Sequence, residues 1–137
     1  MRLLILLLFP ALLSAQEYND VIVSEVVNIY DGDSFTVNVN SWPDIVGYRI
    51  GIRVNGVDTP EMRAKCPQEK VLARQAKQFT VDMLRGGKVV KLRNLQRGKY
   101  FRVIADVYVD EKSLTRALIE NNLGYEYHGG TRRGWCD

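Results

Sequence analysis

The period of the apolar positions changes several times along the chain, and each change predicts an element. Val21 to Ile29 is dominated by Val and Ile and predicts a first strand. Asp31-Gly32-Asp33 is a tight turn signal. Phe35, Val37 and Val39 then alternate with Ser34, Thr36, Asn38 and Asn40, which predicts a second strand in hairpin with the first. Ser41 to Gly47, holding Trp42-Pro43-Asp44, reads as a longer connection. Tyr48, Ile50, Ile52 and Val54 alternate with Arg49, Gly51, Arg53 and Asn55. This third strand gives one face to the core and carries Arg49 and Arg53 on the other. Asn55-Gly56 turns the chain. Asp58, Thr59, Pro60 and Glu61 follow just past a rigid edge, where functional groups are often mounted. Pro60 fixes its own φ and pushes Thr59 toward extended geometry.

The second half switches to a longer period. Met62 to Gln68 reads as a loop containing Cys66-Pro67. A helix is predicted from about Glu69 to Leu84, with Val71, Leu72, Ala76, Phe79, Val81 and Met83 as its apolar set and Gly86-Gly87 as its stop. Lys88 to Leu95 returns to strand, with Val89, Leu92 and Leu95 inward. A basic loop, Gln96 to Lys99, leads to a strand over Tyr100 to Val109. Asp110-Glu111-Lys112 turns the chain, and Ser113 caps a short helix whose apolar face is Leu114, Ala117, Leu118 and Leu123. Gly124 ends that helix, and Tyr125 to Asp137 is a compact tail. Three strands, a helix, two strands and a helix predict an α+β domain. A five-stranded OB-fold barrel with flanking helices is its most economical closure.

Composition adds a compartment. The 137 residues suggest one domain. Met1-Arg2, the apolar run Leu3 to Leu13 and the small residues Ser14-Ala15 have the form of a secretory signal. The run is short of the roughly 20 residues that span a bilayer. The expected division is therefore a signal peptide at 1–15 and a domain at 16–137, exported to the periplasm or secreted, with no transmembrane segment after cleavage. Cys66 and Cys136 suit an oxidising compartment. Paired, they would tie the C-terminus to the segment after Glu61. Free thiols are the alternative, and the leader favours the bridge. Two Cys and one His are too few for a zinc site.

The net charge is +3, falling to +2 on loss of Arg2. The distribution says more. Arg63 to Arg102 holds twelve Lys/Arg and two acids, Glu69 and Asp82, which suits an anionic polymer or an ordinary solvated face. His128, the single histidine, sits in a Gly-rich tail with no Ser or Cys partner and reads as a surface or packing residue. Tyr125 and Tyr127 suit either base stacking or tail packing.

Four motifs then fall in order on the predicted elements: Asp31-Gly32-Asp33-Ser34, Arg53, Asp58-Thr59-Pro60-Glu61, and Lys99-Tyr100-Phe101-Arg102. Together they resemble the staphylococcal nuclease-like (thermonuclease) family over about Val21 to Trp135. The resemblance implies a calcium ion held by the carboxylates of Asp33 and Asp58 and the backbone carbonyl of Thr59. Asp31 would act through water or from behind these ligands. It implies Glu61 as the general base, Arg53 and Arg102 gripping the scissile phosphate, and Tyr100 near the nucleotide. The family form of the last motif has Asp before Lys and Gly before Arg, where this chain has Gly98 and Phe101. Ser34 stands where Thr is usual, and the tail ends early.

The residue types suit that chemistry. A phosphodiester repels hydroxide, so its hydrolysis needs charge neutralisation and a positioned water. Hard oxygen donors suit calcium or magnesium, and the resemblance implies calcium. This is no EF-hand, since the sixth and twelfth positions from Asp31 are Thr36 and Trp42. Arginine presents a planar fork to phosphate and stays charged. The expectation is a monomeric, calcium-dependent nuclease acting on DNA and RNA with low sequence specificity and no stable protein partner. The alternatives are a non-catalytic OB-fold module binding single-stranded nucleic acid, and a small disulfide-bonded envelope protein. Carboxylates repel phosphate unless a cation intervenes, which weighs against the binding module.

Overall fold

The structure, a computed structural model, describes residues 20–136. The expected leader at 1–15 lies outside the described residues. The elements in order are β1 (Val21–Ile22), β2 (Glu25–Ile29), β3 (Ser34–Asn38), α1 (Asp44–Gly47), β4 (Ile50–Val54), β5 (Val57–Asp58), α2 (Pro67–Gly86), β6 (Val90–Arg97), β7 (Val103–Val109), β8 (Lys112–Ser113), α3 (Leu114–Glu120) and β9 (Tyr125–Glu126).

The first strand is one extended segment that changes partners. β1 pairs antiparallel with β6, placing Val21 opposite Leu92, while β2 pairs antiparallel with β3, placing Val26 opposite Val37. The sheet runs β1-β6-β7-β4-β3-β2. Consecutive residues therefore sit at both ends of the path. Val23 N–H donates to Val90 O at 2.9 Å, and Ser24 N–H donates to Asn38 O at 2.8 Å. These two bonds mark the switch and curl the sheet onto itself, which covers the edges that an open sheet would expose. β4 runs parallel to β7, and α2 and β6 make the crossover between them. The result is the α+β OB-fold architecture that the element order predicts. Register shifts at Val26/Asn28 and Arg93/Gln96 bend the strands, as closure requires.

The core follows the period of two. Phe35, Val37, Val39, Ile52, Val54, Leu92 and Val107 are buried inside the curl. α2 covers the turn beside the site with much of its predicted face: Ala76 is buried, and Phe79, Val81 and Met83 pack half-buried against the core. The buried stripe is Glu69, Ala73, Ala76, Thr80 and Leu84, while Val71 is exposed. Ala73 and Thr80, outside the apolar pattern, join the buried stripe because small residues let this helix approach closely. α2 also starts early, at Pro67, whose missing N–H and fixed φ suit the first helical position. Cys66 is the N-cap, its Sγ accepting from Glu69 N–H at 3.4 Å. Ser113 caps α3 through Arg116 N–H, and Leu114 and Leu118 are buried as predicted. Among the described residues, no helix is long and apolar enough to cross a membrane.

Several local expectations change. Arg49 takes a positive φ of 51°, so the alternation starts only at Ile50 and Tyr48 is exposed. The connection after β3 contains α1. β6 faces the core through Val90 rather than Val89, and it continues to Arg97, through residues that read as loop. Tyr100 and Phe101 belong to a turn, and β7 begins at Val103. Cys66 and Cys136 are joined, with Cα atoms 5.9 Å apart and a sequence separation of 70. The chain-entropy model assigns such a loop roughly 4 kcal/mol.

Candidate active site

The site begins at the turn between β2 and β3. Gly32 is pressed into the molecule: a Cβ there would lie 2.9 Å from Thr59 Cγ2 and 3.0 Å from Ala76 Cβ. Its carbonyl accepts from the buried Thr80 hydroxyl at 2.7 Å. The turn is thereby fixed against α2 and the β5 edge. Asp31 Oδ1 accepts from Asp33 N–H at 3.2 Å, and Ser34 Oγ donates to Asp33 Oδ1 at 3.0 Å. Asp33 Oδ2 accepts from Thr59 N–H at 2.9 Å, which joins two segments 26 residues apart.

The β3–β4 register places Ser34 opposite Arg53 and so brings Arg53 beside Asp33. Arg53 Nη1 lies 2.5 Å from Asp33 Oδ2, an ion pair off the line of a hydrogen bond, and Nη2 lies 3.5 Å from Asp58 Oδ1. A nearly buried guanidinium thus sits between two buried carboxylates. Asp58 is held in β5 by pairing with Tyr125 of β9. Asp31, Asp33, Arg53, Asp58, Glu61 and Arg102 all line one open cleft of about 470 Å³.

Two side chains outside the sequence-predicted set shape this cleft. Buried Glu69, on the first turn of α2, accepts from Glu61 N–H at 3.3 Å and Lys65 N–H at 2.8 Å, fixing the loop that carries Glu61. Arg132 pairs through Nη1 with Glu61 Oε1, and its Nε lies 3.7 Å from Asp58 Oδ1. The disulfide tethers the tail that bears Arg132. Tyr125 stacks on Trp135 with ring centroids 4.0 Å apart, so this tyrosine packs the tail. His128 is exposed beside Glu126.

Among the described residues, four carboxylates and four arginines line the cleft, but only Arg53 and Arg132 form ion pairs with the acids. Asp31, Asp33 and Asp58 are only 7%, 5% and 5% exposed. Burial, with the neighbouring Asp33 charge, pushes the Asp31 carboxyl from 3.8 up to about 7. Asp58 is raised by burial and Asp33, and Arg132 and Arg53 partly offset this. Adjacent buried carboxylates in an open cleft form an all-oxygen donor set that fits a hard divalent cation. Cys66, Glu69 and Cys136 also converge, but the disulfide takes both sulfurs, so that group holds no metal.

Tyr100 stands apart from the other residues predicted from sequence. It is 96% exposed and lines a neighbouring groove that shares Arg102 and Gly51 with the cleft. Arg132 was within reach of the sequence. Pairing Cys66 with Cys136 brings the tail to the Glu61 loop, and Arg132 lies four residues before Cys136. Glu69 gave no such signal, because an acid in a first helical turn is ordinary.

A family model described as staphylococcal nuclease homologue matches residues 51–132. That range contains Arg53, Asp58, Thr59, Glu61, Arg102 and Arg132, and it begins after Asp31 and Asp33. Comparison with curated proteins gives no match.

Proposed function

The chain belongs to the staphylococcal nuclease homologue family, a membership that supports a nuclease or nucleic-acid-binding role, and from it we propose an exported, calcium-dependent nuclease. It hydrolyses phosphodiester bonds of DNA and RNA with little sequence preference. The observation that carries this reading is the cleft in which Arg53 lies between Asp33 and Asp58, with Glu61 and Arg102 on the same walls. A single-strand binder has no use for buried carboxylates beside its phosphate grip.

The Asp33 and Asp58 carboxylates and the Thr59 carbonyl are the residues that would hold calcium, with Asp31 behind Asp33. When bound, the ion supplies neutralisation of phosphate charge. The chain's own residues do the rest. Arg53 and Arg102 donate to the non-bridging phosphate oxygens and meet the charge that builds on them. The Glu61 carboxylate accepts a proton from the attacking water, and its backbone is steadied by Glu69. Water oxygen bonds to phosphorus, one ester P–O bond breaks, and the departing oxygen takes a proton. Contacts of this kind read backbone and not base edges, which gives low sequence preference.

The test incubates the purified chain with single-stranded DNA and with RNA, in calcium and in excess chelator, beside an Asp33→Ala/Glu61→Gln variant. Calcium-dependent cleavage that the variant lacks is the expected result. Tight binding without cleavage under any divalent ion would overturn it in favour of the binding module.

A further inference from the structure

Next to the catalytic cleft, and sharing Gly51 and Arg102 with it, lies a larger groove of about 760 Å³. One wall is the Lys99–Arg102 turn, closed by Arg102 N–H donating to Lys99 O at 3.1 Å. Its central residues Tyr100 and Phe101 have φ of 56° and 62°. Two successive left-handed residues define a turn that favours Asn-Gly, because a Cβ is strained there. This chain instead places two aromatic rings in it, 96% and 81% exposed. Neither the turn nor the core gains from them. Strain that local packing does not explain marks functional positions. On the opposite wall, α1 and the residue after it expose Ile45 and Tyr48. Arg49, Arg97 and Arg102 line the groove with no acid among them, and the Arg97 guanidinium lies 5.8 Å from the Phe101 ring centre.

We infer that this groove is a binding site for unpaired bases of the strand whose phosphate enters the catalytic cleft, with Phe101, Tyr100 and Tyr48 as stacking surfaces. The inference rests on the nuclease reading for the neighbouring cleft. Base faces are open in a single strand and covered in a duplex, so aromatic platforms flanked by cations select single strands. The arginines supply charge of the right sign for the accompanying phosphates. Arg102 belongs to both pockets, so a strand gripped at its phosphate in the cleft continues into the groove. A lipid surface would also meet apolar groups and cations, but the groove runs into the cleft through Gly51 and Arg102, which favours a strand already held there.

The test measures binding in excess chelator, where no cleavage is needed, by fluorescence anisotropy. The probes are a single-stranded oligothymidylate, an abasic strand of equal length, and vesicles of mixed anionic and zwitterionic phospholipid. Wild type binds the base-bearing strand about tenfold or more tighter than the abasic one, and Phe101→Gly with Tyr100→Gly and Tyr48→Ala removes that difference. Glycine suits the φ at 101, so the single Phe101→Gly variant folds with an undiminished Tm and shows part of the loss. Equal affinity of wild type for the two strands overturns the proposal. So does an unchanged preference in the variants, or a loss confined to vesicle binding. Base-dependent binding by a chain that never cleaves would sink the nuclease reading and leave this site standing.

Discussion

Arg132 donates to the Glu61 carboxylate from 71 residues away in sequence, and the same guanidinium faces Asp58. The candidate base and a candidate metal ligand therefore share one cation. It is delivered by a tail that has no regular secondary structure at that point. With Arg53, Arg63 and Arg102, it is one of four arginines that line the cleft.

Arg132→Ala is expected to lower kcat/KM about 10- to 100-fold, the effect of losing one hydrogen bond between charged groups of about 1.5–3 kcal/mol. Steady-state kinetics check this. An unchanged kcat/KM would reduce Arg132 to a strap for the tail.

Arg53→Lys is expected to cut turnover at least tenfold. The arginine fork reaches Asp33 and Asp58 together, and a lysine ammonium reaches one of them. The loss falls on cleavage in calcium, while binding of a single strand in chelator changes less. Kinetics equal to wild type would show that Arg53 balances charge and does not grip phosphate.

The barrel was legible because alternation at Phe35, Val37 and Val39 and at Ile52 and Val54 reports burial on one sheet face directly. The partner switch at Val23-Ser24 was not, since one Val-rich run serves two neighbours without any change of period. Positive φ at Arg49, Tyr100 and Phe101 also escaped, because nothing in those side chains asks for it. The turn containing Asp31 and Asp33 and the loop after β5 were readable as motif clusters. Their meeting through Thr59 N–H and Asp33 Oδ2 depends on the fit of Gly32 against Ala76, which only tertiary packing reveals. The packing face of α2 was legible in part: Ala76, Phe79, Val81 and Met83 follow the apolar period, while Ala73 and Thr80 are buried because close approach selects small residues.

Asp31 gives the cleft a pH signature. Its pKa is raised from 3.8 to about 7, chiefly by burial and then by Asp33. Between those values the folded protein holds a proton that the unfolded chain has released, so this group's contribution to stability falls as pH rises through that window. Asp58 shifts in the same direction. In chelator, Asp31→Asn is expected to raise stability at pH 8, on the order of a few kcal/mol, and to change it little at pH 4. Calcium is expected to raise the wild-type Tm more at pH 8 than at pH 5, since it binds ionised carboxylates. Thermal melts across pH check both, and a calcium effect independent of pH would count against the acidic site.

Glu61→Gln is expected to fold normally and to lower turnover by about 10² to 10⁴, the usual contribution of general-base help. The amide keeps the size and loses the proton-accepting charge. The Glu61 backbone bond to Glu69 is untouched, so the change acts on the carboxylate and its pairing with Arg132. Near-normal turnover in this variant would remove Glu61 from the base role.

The disulfide links the tail to the loop that carries Glu61. Cys66 caps α2 two residues after Ala64 in the loop that follows Glu61, and Cys136 lies four residues beyond Arg132 in the tail. Opening the bridge therefore acts on stability and on the cleft together. Cys136→Ser is expected to cost roughly 4 kcal/mol by the loop-entropy estimate. It is also expected to reduce kcat/KM at temperatures where the protein stays folded, because Arg132 loses its tether to the cleft. Combining Cys136→Ser with Arg132→Ala separates the two effects. If the bridge serves the cleft through Arg132, the double variant is no slower than Arg132→Ala alone, while its Tm matches that of Cys136→Ser. Additive losses in kcat/KM would mean that the bridge serves the Glu61 loop directly, through the capped start of α2.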